Sequence, residues 1–291
     1  MRVELNSIFR AVQPAHLPKD IEYDENGYNN IHFLTSHSGN MSPINIQRPM
    51  FAHKPVKRNG ETITPALYFH SNPYKTNRKV KPWTDILMPD QGLVYYNGDN
   101  QTPGLPPSGK QNGKTGNRIM EELWDLYASL DIDDRRRAPP ILIFEQVKCM
   151  GTTKGYRKFI GYGIVTKTEI RQEYLPRKKD NDSVSKVFSN YLFEITLLKT
   201  DDDNKIDWDW IKDRRDPAIP KENINNKAPK AWKKWVKNGS SILNECIQKI
   251  RHYDVSTKDE QVSELEKHHE FILNKIEKKY RKNKEKGRFE A

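Results

Sequence analysis

Ile141–Lys148 (ILIFEQVK), Lys158–Lys167 (KFIGYGIVTK) and Tyr191–Lys199 (YLFEITLLK) decide how this chain folds. Each is a short run rich in β-branched and aromatic residues with turn or charged segments at its ends, and each reads as a strand. The connections are turn-rich, and residues 171–190 form a charged loop before the third strand. Upstream, Gly92–Asn97 (GLVYYN) has the same composition between turn formers and reads as a further strand. Residues 101–116 (QTPGLPPSGKQNGKTG) make a Gly/Pro/Lys loop without an acidic residue. Asn117 then caps a helix on which Ile119, Leu123, Leu126, Tyr127 and Leu130 recur at helical spacing.

Helix followed by hairpin-linked strands predicts an α+β fold: a curved antiparallel sheet or partial β-barrel with packed helices, followed by a helical linker. Residues 1–60 read as extended pieces punctuated by Pro14, Pro18, Pro43, Pro49 and Pro55, packing on a main domain over 61–239. Trp208–Gly239 is aromatic and basic, with short helices broken by Pro217, Pro220 and Pro229. Over 240–291 the chain turns helical, and Val262, Leu265, His269, Ile272 and Ile276 form a short a/d seam. That seam suits either a second copy or a missing domain, the latter being favoured. The chain then ends on RKNKEKGRFEA without a closing element, which reads as a cut end.

Lys and Arg number 50 against 39 Asp and Glu, a net charge of +11 that favours a polyanionic partner. The sequence holds no run of about 20 apolar residues to span a membrane and no apolar signal core. A cytoplasmic protein is expected. Cys149 and Cys246 are far apart and fit no metal or redox motif, and His268-His269 has no ligand spacing. GKQNGKT (109–115) imitates a phosphate loop, but Ser108 stands where the first glycine is required. Gln146-Val-Lys148, with Asp131, Asp133 and Asp134 upstream, has the spelling of a metal-dependent nuclease site. Against it, those aspartates sit beside Arg135, Arg136 and Arg137, where a salt-bridged loop is the simpler reading.

SNPYKTNRKVKPWTDI (71–86), GLVYYNGDN (92–100), KFIGYGIVTK (158–167) and APKAWKKWVKNG (228–239) together resemble the N-terminal domain of AspBHI/MspJI-type modification-dependent restriction endonucleases. Such domains look like the SRA (SET- and RING-associated) readers of modified cytosine. The resemblance spans roughly residues 64–239, and the closing GRFEA resembles the start of the nuclease domain that follows. It implies an SRA-like fold and recognition of 5-methyl- or 5-hydroxymethylcytosine in double-stranded DNA by base flipping. In that reading the chain is the DNA-binding part of an enzyme of phage defence. No cofactor is implied for binding; Mg²⁺ enters only with a C-terminal nuclease domain.

A flipped base needs stacking walls and a polar group at its pairing edge, and a carboxylate can accept from the cytosine N4 amino group. The resemblance puts Asp99, Trp83, Tyr95, Tyr96, Asn100, Ser71 and Asn72 in the candidate pocket, with Tyr74 in the same block as Ser71 and Asn72. Asp99 is the expected base-edge acceptor, although Gly98-Asp99 is also the composition of a hairpin turn. Strand alternation puts Tyr95 and Tyr96 on opposite faces, so only one lines the pocket. Lys75, Arg78, Lys79, Lys81, Lys110, Lys114 and Arg118 are candidate backbone and groove contacts. Lys230, Lys233, Lys234 and Lys237 form a second basic patch whose Trp232 and Trp235 are expected to anchor the segment to the sheet. The competing readings are a self-contained metal-dependent nuclease using Gln146 and Lys148, and single-strand binding on aromatic platforms.

Overall fold

The computed structural model describes residues 1–13, 15–36, 49–74, 83–108, 116–174 and 187–248. All of these lie in one unit built from Met1–Pro176 and Ser185–Arg251. The a/d seam lies outside them. The N-terminal part contributes β1 (Arg2–Glu4), β2 (Ile8–Arg10), β3 (Asn29–Asn30), α1 (Ile31–Ser36) and β4 (Met50–Ala52). A small hairpin follows from β5 (Val56–Arg58) and β6 (Glu61–Ile63), then β7 (Leu67–Ser71), β8 (Ile86–Met88) and β9 (Leu93–Asn97). Helices α2 (Gly116–Ala128) and α3 (Ile132–Arg137) precede the long strands β10 (Ile141–Gln146), β11 (Tyr156–Tyr174) and β12 (Val187–Leu197). β13 (Lys205–Asp207), α4 (Asp209–Arg215), α5 (Lys230–Asn238) and α6 (Leu243–Cys246) complete the described chain.

One large sheet dominates, in the order β4-β7-β10-β11-β12-β9-β8, with β2 also pairing with β11. It is mostly antiparallel, but β7 runs parallel to β10, Leu67 opposite Ile141 and Ser71 opposite Glu145. The expected antiparallel sheet is therefore corrected at two pairs, β7–β10 and the short β2–β3. Parallel neighbours need a long crossover, and between β7 and β10 the segments β8, β9, α2 and α3 supply it. Register shifts at Ile143/Phe144 and at Val165/Lys167 bend the central strands. The consequence is a curled sheet. Phe69 on β7 and Tyr96 on β9, with β10, β11 and β12 between them in the strand order, have ring centroids only 4.5 Å apart. The strand path stays open from β4 to β8, so no barrel closes.

Both faces of the central strands are covered, which is why β7 and β9 are buried at every position. α2 packs against β4 and β11. Its buried residues are Gly116, Asn117, Met120 and Tyr127, whereas Leu130 lies beyond the helix and is 96% exposed. On α5, Trp232 and Trp235 are fully buried while Lys230, Lys233, Lys234 and Lys237 are exposed. Trp232 does anchor this segment to the sheet, its ring 6.4 Å from Tyr162 of β11, whereas the Trp235 ring lies 6.3 Å from Tyr127 of α2. Fully buried Arg214 donates to the carbonyls of Pro65, Ala138 and Arg137 and to Asn225 Oδ1, binding α4 to the β7 and β10 approaches. Asn225 Oδ1 also accepts from the indole N–H groups of Trp210 and Trp232.

The expected loop over 171–190 is partly strand. β11 continues to Tyr174 and pairs with β12 from Val187. Its polar TEIRQEY end (168–174) carries little apolar signal, and Glu169 is held there by Lys167 and Arg171. Among the described residues no helix is long and apolar enough to cross a membrane.

Candidate nucleic-acid interface

Strands β7 and β9 end close together, and most of the predicted pocket residues sit at those ends. Ser71 closes β7; it is buried, and its hydroxyl donates to Asp85 Oδ2 at 3.0 Å. Asp85 is itself buried and lies just before β8. Its Oδ1 accepts the backbone N–H of Asn97, the last residue of β9, at 3.1 Å. The Asn97 amide donates to Thr84 O at 3.1 Å and reaches Asp85 Oδ1 at 3.5 Å. Trp83 stands two residues before Asp85, with its ring 6.0 Å from Phe188. A buried carboxylate, a hydroxyl and a carboxamide thus converge within one small region, two residues along the chain from a half-buried indole.

Of the three predicted stacking aromatics, Trp83 alone is half-buried; Tyr95 and Tyr96 are 6% and 1% exposed. The Tyr96 hydroxyl donates to Pro49 O at 2.6 Å and to His70 O at 3.0 Å. Burial drives its pKa well above the ordinary tyrosine value, with the charges of Asp85 and Asp99 adding to the effect. Tyr96 is therefore a neutral strut between β9 and β7.

Past Asn97 the chain enters a knot of amides. Both Asp99 carboxylate oxygens face the start of α2: Oδ2 accepts the Gly116 N–H at 2.7 Å and Oδ1 the Asn117 N–H at 3.2 Å. Asp99 caps this helix from outside its own sequence neighbourhood, and Asn117 lies inside the first turn instead of preceding it. Asn117 Nδ2 donates to Asn190 Oδ1 at 2.8 Å, and Asn190 Nδ2 donates to Gly98 O at 2.9 Å. Asn100 Nδ2 donates to Ser189 O at 2.7 Å. Gly98 is required by proximity: a Cβ there would stand 2.1 Å from Asn117 Oδ1.

Asn72 is half-buried and its Oδ1 accepts the Tyr74 N–H at 3.0 Å. Arg118 is exposed on α2, 3.5 Å from Glu122. Lys75, Arg78, Lys79, Lys81, Lys110 and Lys114 lie outside the described residues. Sequence reasoning missed Asp85, Asn97, Asn117 and Asn190 as members of this region. The first stands in the PWTD run of a quoted block and the second in YYN, so an acid-and-amide search beside the aromatics finds both.

The nuclease alternative fares differently. Gln146 is buried and its amide donates to Thr153 O, while Lys148 is exposed and its N–H donates to the Tyr74 hydroxyl at 3.0 Å. Asp131 caps α3, Asp133 pairs with Arg136, and Asp134 pairs with Arg137. Among the described residues no group of three or more His, Cys, Asp or Glu side chains is arranged to hold a metal ion.

The architecture is a mixed α+β one: a large, curled, antiparallel-rich sheet with a few packed helices, polar at the ends of β7 and β9. The chain belongs to the restriction endonuclease AspBHI N-terminal family, whose model matches residues 58–246. It is homologous to the DNA-recognition domains of modification-dependent restriction endonucleases. The MspJI restriction endonuclease, solved in complex with a 27-mer oligonucleotide, is 25% identical with a TM-score of 0.73 over 89% of this chain. The present chain spans 57% of that protein. The DNA recognition domain of the cytosine modification-dependent endonuclease LpnPI aligns at 16% identity and a TM-score of 0.54, over 89% of this chain and 94% of that one. The modification-dependent endonuclease AspBHI aligns at 18% and 0.51, over 81% and 90% of the respective chains. No curated protein sequence matches this one.

Proposed function

We propose that this chain binds duplex DNA and reads a modified cytosine, 5-methyl or 5-hydroxymethyl, by flipping the base out of the stack. Asp85 is the single observation that carries the reading. A buried carboxylate oriented by a hydroxyl and a backbone N–H, two residues from a half-buried indole, has the chemistry to accept from a cytosine amino group while the ring stacks. Asn97 supplies an amide for the remaining pairing-edge atoms, and Trp83 the stacking wall. We infer that Asp85, in place of Asp99, meets the base edge, because the Asp99 oxygens hold the start of α2 whereas Asp85 stands two residues from the half-buried Trp83 and is held by the ends of β7 and β9. Asp99 and Asn100 then set the base of the acid-free loop, whose Lys110 and Lys114 approach the groove. Lys75, Arg78, Lys79, Lys81 and Arg118 contact phosphates. The C5 substituent adds only about 0.8 kcal/mol for a buried methyl, so pocket shape carries much of the discrimination.

In this reading the chain acts as the DNA-binding part of a restriction endonuclease, and strand cleavage with Mg²⁺ falls to a nuclease domain C-terminal to it. Base flipping is tested with 2-aminopurine placed beside the modified cytosine. Extrusion unstacks the probe, so its fluorescence rises on binding the modified duplex. A bound complex with unchanged fluorescence would contradict flipping.

A further inference from the structure

Beside the C-terminal ends of β7 and β10 lies an open cleft of about 570 Å³, lined by Arg157, Gln146, Asn72, Tyr74, Lys154 and His16 among others. Among the described residues no acidic side chain lines it. Arg157, on β11 opposite Gln146, is only 6% exposed. Its Nη1 donates to Tyr156 O at 2.8 Å, and its Nε has no hydrogen-bond partner. Glu145, beside Gln146 on β10, pairs with Lys158 across the same strand pair at 3.2 Å, and Asp24 pairs with Arg10 at 3.7 Å. Burial alone pulls the Arg157 pKa down to about 10, so the group is still a cation at neutral pH. Arg157 thus combines an unpaired, buried donor with a place in the lining of this cleft, and a buried cation so placed is costly until an anion completes it.

We propose that this cleft binds a phosphate group, with Arg157 as its principal donor and Lys154 as a second cation at the rim. A guanidinium fork matches the tetrahedral oxyanion, and Gln146 and Asn72 supply neutral polar walls. Two sources share this chemistry: a backbone phosphate of bound DNA, or free inorganic phosphate. Adjacency favours the first. Asn72 in the cleft directly follows Ser71, which holds Asp85, so a strand delivering its base to Asp85 passes the cleft with its backbone. The DNA source rests on the function proposed above; the oxyanion site does not.

The test follows the Arg157 Nε–H resonance by NMR in the full 291-residue chain, assigned with Arg157→Lys. Inorganic phosphate is titrated first, then an unmodified duplex. The signal is expected to move with both. Arg157→Gln should weaken modified and unmodified duplexes alike, about ten-fold, and lower the salt slope by about one, leaving their ratio unchanged. Lys154→Ala, at an exposed position, should shift affinity and slope in the same direction and covers the case in which Arg157→Gln folds poorly. Movement with phosphate alone assigns the site to the free anion. A resonance that neither probe moves would overturn the site. Loss of discrimination between duplexes with the resonance still moving would remove the base-reading function and leave the oxyanion site standing.

Discussion

Asp99 and Asn117 hold each other reciprocally: the Asp99 N–H donates to Asn117 Oδ1 at 3.0 Å, and the Asn117 N–H donates to Asp99 Oδ1 at 3.2 Å. Between them the chain leaves through the Gly/Pro/Lys loop and returns, so the pair closes the loop at its base. Asp99→Ala should cost about 1 kcal/mol, the typical value of a lost helix cap, read as a lower melting temperature. Affinity for every duplex should fall with it while the preference for modified cytosine survives. If Asp99→Ala abolishes that preference and leaves stability intact, Asp99 and not Asp85 is the base-edge acceptor.

Gly98→Ala tests the same knot from the inside. The added methyl would meet Asn117 Oδ1 at 2.1 Å and Asn190 Oδ1 at 2.4 Å. Overpacking of this kind costs about 1–3 kcal/mol, and here it also splits an amide network. Thermal unfolding should show a drop at least as large as for Asp99→Ala. A variant as stable as the parent would mean that the amides re-pair freely around the methyl.

His53 gives the fold a dependence on pH. It is buried with Nε2 2.8 Å from the Tyr68 hydroxyl. Burial first, and the Arg215 charge second, hold its pKa well below the ordinary histidine value of 6.5. Above pH 6.5 the imidazole is neutral whether the chain is folded or unfolded. Below it the unfolded chain takes a proton that the folded chain refuses, so stability falls as pH drops, by up to about 1.4 kcal/mol per pH unit. Melting temperatures at pH 7.5, 6.5 and 5.5 should decline in the parent and decline less in His53→Gln. Parallel declines in both would remove His53 from the effect.

The central sheet was legible in the sequence because its strands are buried on both faces. ILIFEQVK, KFIGYGIVTK and YLFEITLLK carry continuous apolar runs, and β10, β11 and β12 form on them. Leu67–Ser71 was not read as a strand: LYFHS stands among prolines and turn formers, and its parallel partner β10 lies far along the chain. The helix of residues 116–128 was found, but its capping residue was not, since Asp99 reaches it across the whole loop. For the site, aromatic-rich blocks located the right strand ends. They did not show which acid converges with which amide, because Ser71, Asp85 and Asn97 meet only when the bulged sheet curls.

The most direct measurement is competition binding at fixed salt, without metal, among duplexes carrying one central 5-methylcytosine, one 5-hydroxymethylcytosine or none. It would be run with the parent chain and with Asp85→Asn, a near-isosteric change that turns one acceptor into a donor toward the cytosine amino group. The parent should prefer a modified duplex, and Asp85→Asn should lose at least about ten-fold of that preference, one missing hydrogen bond's worth, while keeping its salt-sensitive binding to all three. Equal binding of all three duplexes by the parent, or a preference undiminished in Asp85→Asn, would contradict the account.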